Sequence, residues 1–243
     1  MIMNNKDTNT NLKARQKKKF KKRYWLLLDL ALAIVVLGLL FYKPARYRLS
    51  YTIQADNRQK EVSPYLTNEL LPELYNNAQH DEPFDLEIFQ KGINETIAQL
   101  KWPQESEGVT LSAPTVFFVP DNIVLMGTAN IKGAELVVTI VAKPTLNEKG
   151  LLNLNVQKVK IGAMNITPLA KLLAKRMYSE RIASVPVDIE DLRTKIAASL
   201  LNEESFEPVF NINGIFEDLD KKLRVEKITI AQKKLTIRLV PVS

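Results

Sequence analysis

Apolar positions along the chain follow three rhythms in turn. Trp25 to Tyr42, WLLLDLALAIVVLGLLFY, is apolar around the whole circumference of a helix and carries a single charge, Asp29. Eighteen such residues rise roughly 27 Å, close to the apolar thickness of a bilayer, so the spacing predicts a transmembrane helix over 24–42. Asp29 lies one turn from the basic end of this run, within reach of headgroup level, where its charge costs little. The second rhythm is a helical period. Ser63-Pro64 reads as a helix start followed by Leu66, Leu70 and Leu74, with Pro72 expected to kink or divide the helix. Phe84 to Ile88 alternates as a strand and runs directly into a helix with Phe89, Ile93, Ile97 and Leu100, stopped at Trp102-Pro103 and followed by a polar loop from Gln104 to Gly108.

From Val109 to Ile166 the period becomes two. A strand to Val119 ends at Pro120-Asp121-Asn122. Ile123, Leu125, Ala129 and Ile131 alternate up to Lys132-Gly133, and Leu136, Val138, Ile140 and Ala142 continue on one face. Leu152, Leu154 and Val156 then slip by one residue relative to Val159 and Ile161, which predicts a bulge. Thr167-Pro168 opens a helix whose inward stripe is Leu169, Leu172, Leu173 and Met177, with Lys171, Lys175 and Arg176 outside. A second helix starts at Asp188 with Ile189, Leu192, Ile196 and Leu200 as its stripe. Leu223 to Ile230 and Leu235 to Leu239 close the chain as a hairpin, with a second phase slip between Val225 and Ile228. The order predicts an α+β class: an N-terminal transmembrane helix followed by one domain with a long, curved antiparallel sheet wrapped around amphipathic helices.

Charge sets the expected orientation. The chain is formally +7, yet residues 1–23 hold nine basic side chains and one acidic, leaving 25 basic against 26 acidic from Tyr24 onward. Lys17, Lys18, Lys19, Lys21, Lys22 and Arg23 stand directly before the apolar run, whereas Lys43, Arg46 and Arg48 follow it. Basic flanks stay in the cytoplasm, so residues 1–23 read as a cytoplasmic tail, 43–62 as a juxtamembrane stalk and 63–243 as an extracytoplasmic domain. The basic cluster is accounted for by orientation and by anionic headgroups, and no nucleic-acid partner is expected. Lys43-Pro44-Ala45-Arg46 after a long apolar run points to an uncleaved anchor. Residues 1–12 are polar and expected to be disordered.

Catalytic signals are weak. There is no cysteine and one histidine, His80, in a polar loop, so Cys-His nucleophile pairs and multi-histidine metal sites are excluded. The acidic groups Asp188/Glu190/Asp191, Glu203/Glu204 and Glu217/Asp218/Asp220 suit helix capping and solvated surface better than acid–base chemistry or calcium. No glycine-rich phosphate loop is present. Asn94-Glu95-Thr96 and Asn165-Ile166-Thr167 match the glycosylation acceptor pattern. The expectation is a protein that is not an enzyme and holds no metal or cofactor.

Phe84 to Ile88 running into Ile93-Asn94, Ile123 to Ala129, Leu151 to Gly162 before a proline-initiated helix, and the closing Val225 to Leu239 hairpin together resemble the YpmS-type bacterial membrane-anchored proteins and, more distantly, the tubular lipid-binding (TULIP-like) domains. The resemblance covers about 160 residues, leaves out Ser63 to Gln79, and brings no catalytic motif. It implies a curved sheet around helices with an apolar groove for acyl chains, membrane lipids being the partner. The inward candidates are Phe117, Leu125, Ile131, Val138, Ile140, Leu154, Val156, Leu169, Leu172, Leu173, Ile196 and Leu200. A lipid groove and a packed core are written in the same residues. Two functions therefore stay open: shielding or carrying lipid near the membrane, and a structural or assembly role in the cell envelope through contacts with other envelope proteins.

Overall fold

The computed structural model describes residues 7–45, 47, 63–106, 108–146, 152–184, 209–210 and 222–242. The helix expected from Asp188, with Ile196 and Leu200, lies outside them, as do the three acidic groups and most of the stalk.

Helix α1 runs Asp7–Leu40, starting well before the expected boundary at residue 24 and taking in residues 7–12, for which disorder is the sequence expectation. Lys, Arg and Gln are good helix formers, and an apolar helix supplies the nucleus from which they propagate. The C-terminal boundary falls two residues early. The apolar run inside α1, Trp25 to Leu40, is sixteen residues, which corresponds to about 24 Å of rise. Among the described residues no helix is long and apolar enough to cross a membrane.

Pro64 and Tyr65 open a helical turn that passes into a π-turn at Leu66–Leu70 and then into α2, Leu71–Ala78. The Leu71 N–H reaches back five residues to the Leu66 carbonyl, so Pro72 divides this helix as its missing N–H requires. Strand β1 (Phe84–Phe89) feeds α3 (Gln90–Gln99) without a loop. Next come β2 (Gln104–Ser106), β3 (Val109–Leu111), β4 (Thr115–Val119), β5 (Asn122–Ile131), β6 (Ala134–Leu146), β7 (Leu152–Ile161), β8 (Met164–Asn165), helix α4 (Thr167–Ser184), β9 (Val209–Phe210), β10 (Leu223–Ala231) and β11 (Lys234–Pro241). The expected strand from Val109 to Val119 is interrupted at residues 112–114, and the expected loop at Gln104 instead pairs with Leu111 as a short hairpin.

The strands form two antiparallel sheets rather than one. The large sheet has the order β2-β3-β5-β6-β7-β8, with β4 beside the first half of β5 and β9 beside the start of β7. The small sheet has the order β1-β11-β10 and joins residues 84–89 to the closing hairpin. Both predicted bulges are present. Ala142 opposes Val156 while Val141 opposes Lys158, leaving Gln157 unpaired, and Val225 opposes Leu239 while Lys227 opposes Arg238, leaving Glu226 unpaired. Each bulge returns the apolar residues that follow it to the face they would otherwise leave. The two-residue turn Lys132-Gly133 has positive φ at both positions (50° and 88°), as a tight hairpin requires.

The small sheet is two-faced. Asp85, Glu87, Lys234, Arg238 and Glu226 form a half-exposed ion-pair lattice on one side. Leu86, Val225 and Leu239 on the other pack with Leu223, Leu74 and Ala78 of α2 and with Leu146 at the end of β6. Its other end, Ile228, Ile230 and Leu235, closes on Val116 and Phe118 of β4, Ile123 and Leu125 of β5, and Ile93 and Ile97 of α3. Backbone bonds stitch the sheets together, Lys233 N–H to the Phe118 carbonyl and Asp121 N–H to the Ile230 carbonyl, while the Gln90 N–H ties the start of α3 to the Lys233 carbonyl.

Tyr65, 5 % exposed, anchors the π-turn against α3, and its hydroxyl oxygen accepts the Phe89 N–H at 2.9 Å. Burial pushes its phenol pKa up; the Phe89 bond opposes this, and the charges of Glu69 and Glu73 add to it. A phenol held protonated in the fold stabilises fully below the unfolded pKa of 10.0, and that contribution is lost as pH rises through the raised folded value. Wild-type stability should therefore fall above about pH 10 with one more released proton than in Tyr65→Phe. Urea midpoints of the two proteins between neutral and alkaline pH measure the difference; parallel curves would remove Tyr65 from the account.

Candidate functional site

Residues directly opposed in an antiparallel pair share a face, so the register sorts the large sheet. One face carries Val116, Phe118, Ile123, Leu125, Ala129, Ile131, Leu136, Val138, Ile140, Ala142, Leu154, Val156, Val159 and Ile161. It is continuous and apolar. The opposite, mixed face carries Phe117, Val124, Thr128, Glu135, Val137, Thr139 and Lys158. Phe117 thus stands away from the other strand candidates. Strand β4 reads TVFFV without alternation, and only its pairing of Val116 with Leu125 fixes which side Phe117 takes.

The apolar face has two halves. In the half farther from α1, Leu125 is part of the core beneath the small sheet, while Ile140 and Val156 pack with Ala142, Val159 and Ala170 of α4. Val156 is buried in its cluster, and Leu125 and Ile140 are partly buried against theirs. In the other half, Ile131, Leu136, Val138 and Ile161, with Leu111 of the adjoining β3, belong to no packed cluster among the described residues, and Ile131 and Leu111 are about two-fifths exposed (41 % and 39 %). Leu154, partly exposed near the far end of the sheet, is likewise outside those clusters.

Helix α4 overturns its expected orientation. Ala170 and Ala174, with Ile166 just before the helix, are turned to the sheet, Ala174 being 3 % exposed, whereas Leu169, Leu172 and Leu173 are 53 %, 64 % and 51 % exposed. Small residues let the helix lie close on β7, and the leucines are left on its flank. The helix start is fixed by Thr167, whose hydroxyl accepts the Val159 N–H at 2.8 Å, and by the Ile166 N–H to the Val159 carbonyl.

The open half of the apolar face lies at the end of the sheet where α1 terminates. Gly162, in the turn after β7, has φ +58°, and a Cβ there would run into the carbonyls of Leu39 and Leu40. The Ala163 N–H donates to the Leu39 carbonyl at 2.8 Å and the Gly162 N–H to Val137 at 2.7 Å. Beyond α1 the chain passes onto the mixed face. Lys43 pairs with Glu135 at 2.8 Å, and Tyr47, 8 % exposed, shares a 2.6 Å hydrogen bond with Thr128. An exposed ion pair of this kind contributes little energy, but it marks the path. By sequence Lys43 to Tyr47 reads as a stalk, and no local pattern announces a landing on a sheet 81 residues away.

Within α1 every side chain from Tyr24 to Leu39 is exposed, and Phe41 and Tyr42 follow. Lys17, Lys18, Lys19, Lys21, Lys22 and Arg23 fall in the helix directly before this run. Among the described residues no group of three or more His, Cys, Asp or Glu could hold a metal ion, and His80 is exposed. Asn94 is buried with its amide engaged by Val116, so the first glycosylation pattern is closed to a transferase in the folded chain. No protein-family model matches the chain, and neither a curated protein nor a solved structure matches it.

Proposed function

We propose that the chain is a single-pass membrane-anchored protein, with residues 1–23 in the cytoplasm, whose extracytoplasmic domain receives acyl chains on the open half of its apolar face. This is the activity that the likeness to YpmS-type and TULIP-like domains would imply. The observation that carries it is one of placement: Ile131, Leu136, Val138 and Ile161, apolar residues outside the described clusters, sit at the end of the sheet fastened to α1. A helix that is apolar on every side and exposed on every side has no stable place in water. Its sixteen-residue run suits a bilayer locally thinned, with Phe41 and Tyr42 at headgroup level. Chain transfer onto Ile131, Leu136 and Val138 would be favoured by about 0.8 kcal/mol per buried methylene and needs no bond chemistry.

The test is photocrosslinking of the full-length protein in vesicles that contain a phospholipid with a diazirine in its acyl chain. Adducts are expected on peptides spanning Ile131 to Ile140 as well as on α1. Val138→Glu should reduce the former at least tenfold, about 1.4 kcal/mol, with an unchanged circular dichroism spectrum. Adducts confined to α1 would point instead to an envelope scaffold with a closed interior.

A further inference from the structure

We infer that the first two turns of α4 form a second membrane contact, lying in the outer headgroup layer with Leu169, Leu172 and Leu173 among the acyl chains and Lys171 and Lys175 against anionic headgroups. The inference rests on the reading of α1 as the anchor and adds a site to it.

Three observations support it. Three large apolar side chains within five residues are each more than half exposed on one flank of α4, while the sheet-facing positions are alanines. Residues Thr167 to Arg176 carry Lys171, Lys175 and Arg176 and no acidic side chain, the composition of a helix drawn to an anionic surface. The third is position. The Gly162-Ala163 turn is fastened to Leu39 and Leu40, the last helical residues before the exposed aromatics Phe41 and Tyr42, which sets that turn at the bilayer edge. The helix begins four residues after Ala163 and is pinned to Val159, so its start shares that level. Leu169 lies about 5 Å and Leu173 about 10 Å along the helix from Ile166. An interfacial helix buries its apolar face to about 5–10 Å, so even a steeply inclined α4 keeps these leucines near the interface. Lysine stems bury alongside such leucines while their ammonium groups stay with the headgroups.

The chain has no cysteine, so a single introduced one is a unique label site. The full-length variants Leu172→Cys, Leu169→Cys, Val36→Cys and Thr145→Cys would each carry a fluorophore in vesicles of mixed phosphatidylglycerol and phosphatidylcholine. Thr145 is exposed on β6, eight residues beyond Val137, which is about 26 Å from the anchored end. Quenching by a nitroxide carried on lipid tails and by aqueous iodide gives the reading. The Leu172 and Leu169 labels are expected to be quenched by the lipid nitroxide, as Val36 is, and shielded from iodide severalfold relative to Thr145. Lipid quenching at Leu172 should fall severalfold in pure phosphatidylcholine. A Val36 label in the bilayer with Leu172 and Leu169 labels open to iodide would overturn the α4 contact and leave the anchor standing. A Val36 label open to iodide would remove both. Shielding of Leu172 from both quenchers would mean that protein, such as a second copy, covers the ridge, and would equally overturn the proposal.

Discussion

Asn94→Leu is expected to cost about 2–6 kcal/mol, measured as a shift in the denaturant midpoint of the full-length protein in micelles. Asn94 is 8 % exposed, and its amide meets the backbone of Val116 twice: Nδ2 donates to the carbonyl at 2.8 Å, and Oδ1 accepts the N–H at 2.7 Å. Strand β4 has no strand neighbour on that side among the described residues, so the side chain occupies the place of a pairing partner, and Gln90 repeats the device two residues along by accepting the Phe118 N–H at 3.0 Å. Leucine is of similar size and fills the space, but it leaves two buried peptide groups unpaired, each costing about 1–3 kcal/mol. It also opens the edge to another strand, so the variant should aggregate more readily on partial unfolding. A midpoint within about 0.5 kcal/mol of wild type, the scatter of a surface exchange, would show that water reaches Val116.

Gly92→Val is expected to cost about 3–5 kcal/mol, as overpacking against a well-packed ring joins the loss of a buried hydrogen bond. The Tyr65 ring lies where the Cβ of residue 92 would be, with three ring carbons in contact range. The ring has little room to yield, because it is buried and its hydroxyl is held at the Phe89 N–H. Displacement would free the whole Ser63 to Ala78 segment from α3, including the Thr96 hydroxyl that donates to the Ser63 hydroxyl at 3.0 Å. Thermal unfolding of Gly92→Val, Tyr65→Ala and the double variant would measure the coupling, and the double is expected to lose well under the sum of the singles. Strict additivity would mean that the two residues do not share this space.

Strands β5 to β7, β10 and β11 and both bulges are legible because a period of two leaves a mark whenever it slips: Val156 to Val159 and Val225 to Ile228 each show the slip, and the pairing places an extra residue there. Which strands pair is not written locally. Phe84 to Phe89 alternates no differently from the meander strands, yet it pairs with Lys234 to Leu239 in a separate sheet. Hydrophobicity alone selects Leu169, Leu172 and Leu173 as the inward stripe of α4, whereas close helix–sheet packing selects small residues, so Ala170 and Ala174 take that place. For the candidate groove the same limit applies. Leu125 and Val138 read alike, but Leu125 lies beneath the small sheet and Val138 does not, and no pattern within either strand distinguishes a covered position from an open one.

The fastening of α1 to the sheet bears on how far the domain can travel. The twenty residues from Lys43 to Val62, if freely jointed, would let a domain wander roughly 25 Å from its anchor. Instead the Leu39 carbonyl, Lys43 and Tyr47 meet the sheet at three points on two of its strands and the turn beside them. If α1 is the anchor proposed above, these contacts hold the end of the sheet near Glu135 and Gly162 beside the end of that anchor, and Leu146 lies at the other end of β6. A domain anchored in this way would have no working radius: it would reach only molecules that come to the end of its own anchor.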